Sequence, residues 1–192
     1  MNAAGAPAAT IYLIRHGEKP DDRVNGVDAD GNIDVKSLTP RGWRRAGAWA
    51  VYFGKGGDPA SPQRIYASND EKEKVAKNDK DGSRSKRPIE TVAELADKLG
   101  KTVIDKYLKG GEQDLVNAIR DLDGVALVCW QHEAIPEIAQ RLAGPRPDIP
   151  AKWPDNRFDV VWRFTRTAKG AAWSFDQVCP QLLFGDLAES IA

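Results

Sequence analysis

Short apolar runs alternating with helical repeats give this chain its outline. Ile11-Tyr12-Leu13-Ile14, entered from Thr10, is too short for a buried helix and reads as a strand over 10–15. Thr39 is a good N-cap with Pro40 behind it. Trp43, Ala46, Trp49, Ala50 and Phe53 then recur at helical spacing until Gly54 stops the pattern. A second strand, 63–67, ends in Ser68. A helix with Val92, Leu95, Ala96 and Leu99 on one face opens after Ser85 or Lys86 and ends at Gly100. Strand 102–105, helix 111–122, strand 125–130 and helix 134–142 follow, the last with Ile135, Ile138, Ala139 and Leu142 inward. Residues 158–164 and 171–175 alternate apolar and polar, as in an antiparallel edge hairpin. Four β-α repeats followed by a hairpin predict an α/β fold, a three-layer α/β/α sandwich whose sheet is mostly parallel.

Three stretches break the pattern. Residues 1–9, rich in Ala, Gly and Pro, read as a disordered leader ahead of one domain over 10–192. Residues 19–36 carry the turn signals Asn25-Gly26 and Asp30-Gly31 and form a long loop. The segment 69–83 is charged and poor in apolar residues, so it is expected to be a mobile insertion, and one able to close over a site at its ends. Prolines 145, 147, 150 and 154 mark an extended crossing.

Composition narrows the function classes. Of 192 residues, 28 are Lys or Arg and 28 are Asp or Glu, a balance that argues against nucleic acid or an anionic membrane as partner. No apolar run approaches the roughly 20 residues needed to span a bilayer, and a secretory signal is missing, which places the chain in the cytoplasm. Two cysteines, Cys129 and Cys179, are too few for a disulfide framework, though one bridge between them stays open. Arg41, Arg44 and Arg45 fall on the outer face of the first helix and are expected to be solvated. The six tryptophans lie mostly at core spacing, with Trp130 and Trp153 also able to reach the rim.

The candidate chemistry lies at strand ends. Arg15-His16-Gly17-Glu18 follows the first strand, and Gln131-His132-Glu133 follows the fourth. These are the only two histidines of the chain, and parallel sheets place active sites beyond the carboxyl ends of their strands. Arg87 opens the helix after strand two and reaches the same rim, where a helix N-terminus also favours an anion. Metal-ligand spacing and a Gly-rich phosphate loop are both missing, so no metal and no cofactor are expected. Cys129 lacks the Arg six residues on that a tyrosine-phosphatase loop needs, Ile135 standing there instead.

Arg15-His16-Gly17-Glu18 after a strand, Leu38-Thr39-Pro40-Arg41-Gly42 opening the first helix, Arg87 four residues before Thr91, and a strand ending in His132 together resemble the histidine phosphatase superfamily, which includes phosphoglycerate mutases. The resemblance runs from about Ile11 to Leu142. It implies a metal-independent phosphomonoester hydrolase in which His16 is the nucleophile and Arg15, Arg87 and His132 complete a phosphate pocket. The substrate would be a small-molecule or protein phosphomonoester, and the oligomeric state is left open. For the proton donor the family offers two places, matched here by Glu112 after the third strand and Glu133 beside the second histidine. Chain connectivity favours Glu133, which also fits as a first-turn acid of its helix. Glu18 is expected to order the loop. Two other readings stay in view: a mutase-like phosphoryl transfer, and a catalytically weak domain that binds phospho-ligands.

Overall fold

Residue pairing between strands far apart in the chain builds a single six-stranded sheet in the order β3-β2-β4-β1-β5-β6. The computed structural model describes residues 7–69 and 85–192. β1 (Ala9–Arg15) runs parallel to β4 (Gly124–Trp130), which runs parallel to β2 (Arg64–Asn69), and β2 in turn pairs with β3 (Val103–Leu108). β5 (Val161–Arg166) and β6 (Ser174–Val178) are antiparallel, so the three-layer, mostly parallel architecture stands.

β1 is buried along its whole length because both faces are covered. Ile11 and Leu13 pack in one layer with residues of α3 (Glu112–Ile119) and α4 (Ile135–Ala143). Tyr12 and Ile14 pack in the other with residues of α1 (Pro40–Gly54) and α2 (Arg87–Leu99). Trp49, Trp130, Trp153 and Trp162 are core residues, as their spacing predicts. Among the described residues no helix is long and apolar enough to cross a membrane.

The N-terminus of α1 sits against the tip of β1. Thr39 caps it, its Oγ1 accepting from Gly42 N–H at 3.2 Å. A Cβ on Gly17 would lie 2.9 Å from the Gly42 carbonyl oxygen, and one on Gly42 would lie 2.7 Å from that of Glu18. Only glycine at both positions lets the helix approach this closely.

Several expectations are corrected. β1 begins at Ala9, which pairs with Gly124, so Ala9 does not belong to a disordered leader; residues 1–6 lie outside the described residues. The hairpin strands start three residues later than the alternation suggests. Arg157 and Asp159 are tied to one another at 2.8 Å, and Asp159 also accepts from Leu187 N–H, which withdraws this stretch from the ladder. Arg45 is not solvated but 2% exposed, held between Glu18 at 2.7 Å and Asp186 at 2.8 Å. Arg41 joins the same cluster through Glu18 at 3.0 Å, and Arg44 alone of the three is exposed. Cys129 and Cys179 are both free thiols. The charged insertion, apart from Asn69 at the end of β2, lies outside the described residues.

Candidate active site

Parallel pairing of Arg15 with Trp130 brings the ends of β1 and β4 level, and His16 N–H donates to the Trp130 carbonyl at 3.2 Å. The next residues on each strand therefore open on one rim. Gly17 N–H donates to Thr91 Oγ1 at 2.8 Å, and Thr91 Oγ1 donates to the Arg87 carbonyl at 2.6 Å, which stitches the first turn of α2 to the tip of β1.

Arg15 is fully buried, and its partners are all on one edge. Nη1 donates to the carbonyls of Pro154, Asp155 and Arg157 at 3.2, 2.7 and 3.2 Å, while the guanidinium lies 3.8 Å over the ring of Phe158. Nε and Nη2, the opposite edge, are buried with no partner among the described residues. Two adjacent N–H donors held in a plane are the fork that binds two oxygens of a phosphate. Burial pushes the guanidinium pKa down to about 10, against the pull of Asp155, Glu133 and Glu18, so it stays a cation at neutral pH.

Arg87 Nη1 donates to the Val35 carbonyl at 3.1 Å, leaving Nε buried and unpartnered. Burial lowers its pKa as well. Ser68 Oγ, near the end of β2 on the same rim, is a further buried group without a partner among the described residues.

His16 Nδ1 is 2.7 Å from the Gly17 carbonyl. A carbonyl accepts only from N–H, so Nδ1 carries the proton and Nε2 keeps its lone pair. Burial holds the His16 pKa well below its ordinary value; the Gly17 bond opposes this, while the charges of Arg87, Arg15 and His132 add to it. The imidazole is neutral at physiological pH.

His132 Nε2 lies 2.5 Å from Asp155 Oδ1, which as a carboxylate requires the N–H there. Nδ1 is left buried; Glu133 Oε2 is 3.2 Å away but not placed to hydrogen-bond it. Burial and Arg15 lower the His132 pKa against the opposing pull of Asp155 and Glu133. Glu133 itself is 57% exposed. Burial raises its pKa, but its own backbone N–H, His132, Lys109 and Arg15 outweigh that and leave the pKa low.

Arg15, His16, Arg87, His132 and Glu133 thus share one rim, each within electrostatic reach of others in the set. Glu112 is turned elsewhere: it is buried, with Oε1 accepting from Trp130 Nε1 and Gly110 N–H, both at 3.0 Å. Asp155 and Phe158 were not legible in the sequence. They lie in the proline-rich crossing and after it, which has no motif, and its only signal was its place between two elements of the rim. Glu18 orders the loop as expected, its backbone carbonyl accepting from Thr39 N–H at 3.0 Å. Among the described residues no group of three or more His, Cys, Asp or Glu could hold a metal ion.

No protein-family model and no curated protein matches the sequence. Solved structures match the fold across nearly the whole chain. The protein histidine phosphatase SixA complexed with tungstate aligns with a TM-score of 0.55 at 16% identity, covering 89% of this chain and 97% of that one. Mycobacterial glucosyl-3-phosphoglycerate phosphatase Rv2419c aligns at 0.52 and 14%, over 89% and 97%. The ecdysone phosphate phosphatase of Bombix mori, also bound to tungstate, aligns at 0.50 and 14%, over 96% of both chains. All three are named as phosphatases, and this chain has their fold.

Proposed function

We propose that this chain, with the histidine phosphatase fold and a strand-end pocket of two arginines and two histidines, hydrolyses phosphomonoesters through a phosphohistidine on His16. The observation that carries the reading is the free Nε/Nη2 edge of Arg15: a fully buried cation whose other edge is anchored by three carbonyls presents a planar fork to an anion. Arg87 Nε supplies a second cation, and His132 Nδ1 takes a proton to become a third donor when a dianion arrives. Charge on the equatorial oxygens is what phosphoryl transfer needs most.

The His16 Nε2 lone pair attacks phosphorus, the bond to the ester oxygen breaks, and the departing oxygen takes a proton from Glu133. Water then attacks the phosphohistidine, giving its proton to the Glu133 carboxylate as the P–N bond breaks and inorganic phosphate leaves. Glu133 starts as a carboxylate in the empty site, so its proton enters with the substrate, whose negative charge raises the carboxyl pKa. The three donors supply the charge that a metal would bring, and EDTA is expected to leave turnover unchanged.

The test is to trap the intermediate. Rapid mixing with a labelled phosphomonoester and quenching in base is expected to leave a base-stable, acid-labile label on His16. A phosphoester label on Ser or Thr, or no label during steady turnover, would overturn the reading.

Glu133→Gln is expected to lower kcat/KM on alkyl phosphates by about 10²-fold or more, as removal of a general acid does, and far less on p-nitrophenyl phosphate, whose leaving group needs no proton. An equal loss on both would move the donor role elsewhere. Because His132 is neutral in the empty site, binding of phosphate at pH 8, where phosphate is itself a dianion, is expected to take up a proton, and affinity falls as pH rises through the His132 pKa of the complex. Calorimetry in buffers of different ionisation enthalpy measures that uptake. Zero uptake would show that His132 stays neutral against the ligand.

A further inference from the structure

We infer that the leaving-group side of this site is built for an apolar alcohol, so that the substrate is a phosphomonoester of a hydrophobic ring or chain rather than of a compact polar metabolite. This rests on the phosphatase reading for its phosphate and on separate observations for the rest. A cleft of about 300 Å³ opens beside the phosphate pocket, lined by the apolar Pro20, Val24 and Phe158 among charged residues that include Glu18, Asp21, Lys19 and Asp155. It shares two residues with the pocket itself: Phe158, whose ring carries the Arg15 guanidinium at 3.8 Å, and Asp155, which holds His132 at 2.5 Å. A group bonded to a phosphate held by Arg15 extends into this space. The volume is at the small end for ligand sites and suits one or two rings.

Two of the carboxylates around the cleft, Glu18 and Asp21, already have partners. Glu18 is held by Arg41 and Arg45 at 3.0 and 2.7 Å. The Asp21 carboxylate accepts from the backbone N–H groups of Arg23 and Val24 at 2.8 and 2.9 Å. Lys19 and Asp155 attract one another. An apolar leaving group would leave the Glu18 and Asp21 contacts intact while covering Pro20, Val24 and Phe158.

Of the six large hydrophobic side chains exposed among the described residues, Val24, Ile33, Val35, Phe184 and Leu187 lie on two segments, the loop after β1 and the stretch around 184–187. Both segments are tied to the site by backbone carbonyls, that of Val35 accepting from Arg87 at 3.1 Å and that of Phe184 from Arg41 at 2.9 Å.

Non-hydrolysable phosphonates separate the cleft from the chemistry. Calorimetry on the full chain is expected to show 3-phenylpropylphosphonate binding at least about tenfold more tightly than 2-hydroxyethylphosphonate, as burial of an apolar group in a pocket gives, with a negative heat-capacity change. Val24→Asp, at a solvent-facing position outside the catalytic set, is expected to remove that preference while leaving affinity for 2-hydroxyethylphosphonate unchanged; Val24→Leu is expected to keep it. Equal affinities in the wild type, or a preference that survives Val24→Asp, would overturn the apolar cleft and leave the phosphatase reading standing. Tight, Val24-dependent phosphonate binding without turnover of 2-phenylethyl phosphate would uphold the cleft and overturn the phosphatase reading instead.

Discussion

His16→Ala is expected to lower kcat/KM towards an aryl phosphate by on the order of 10⁴-fold, the scale seen when a covalent nucleophile is removed and binding groups remain. Arg15 and Arg87 stay in place, so inorganic phosphate is expected to bind the variant within a few-fold of wild type. That split between lost turnover and kept binding is what separates an enzyme from a phospho-ligand binding domain. Activity within tenfold of wild type would end the phosphohistidine route. The same substitution has a stability signature. The His16 pKa is lowered well below its ordinary value by burial and the neighbouring cations, so the unfolded chain takes up a proton that the folded chain refuses. Stability from this residue is complete above pH 6.5 and is lost progressively as pH falls below it. His16→Ala is expected to flatten that part of the urea-midpoint profile, and an unchanged slope below pH 6.5 would show that His16 is not buried neutral.

Arg45→Met is expected to destabilise the fold by about 3 kcal/mol, the cost of breaking a buried ion pair from one side. The substitution keeps the volume of the stem but leaves the carboxylates of Glu18 and Asp186, side chains 14% and 2% exposed, facing one another with only Arg41 to compensate. For a chain of 192 residues the loss lowers Tm by roughly 10 °C. Since Asp186 has a lowered pKa, its burial raising it less than Arg45 and the Leu183 N–H lower it, the wild-type pairing contributes stability above the ordinary carboxylate range and loses it as pH falls. The gap between Arg45→Met and wild type is therefore expected to narrow in acid. A Tm within 2 °C of wild type at neutral pH would show that the cluster is not a stabilising element. Because Glu18 directly follows Gly17, the cluster also fixes the loop leaving β1, and a loss of affinity for phosphate is expected to accompany the loss of stability.

The sequence by itself determined the parts whose physics is local. A four-residue apolar run, a Thr-Pro helix start and glycine stops are short-range signals, and they placed the core strands and helices to within a few residues. The strand-end positions of Arg15-His16 and His132 follow from the same signals, because a parallel sheet sends all such ends to one rim. The tertiary structure decided what depends on segments distant in the chain. Asp155 reaches His132 from 23 positions further on, past α4 and the proline-rich loop, with no periodicity to announce it. Chain connectivity favoured Glu133 over Glu112 as the acid, but only the fold turns Glu112 away from the rim, to the Trp130 indole. Arg45 had the spacing of a solvated face, and only Asp186, brought back from the C-terminal segment 141 positions away, turned that face into a buried ion pair. A charge on a helix is solvated or buried according to what packs over it, and that partner is supplied by the fold.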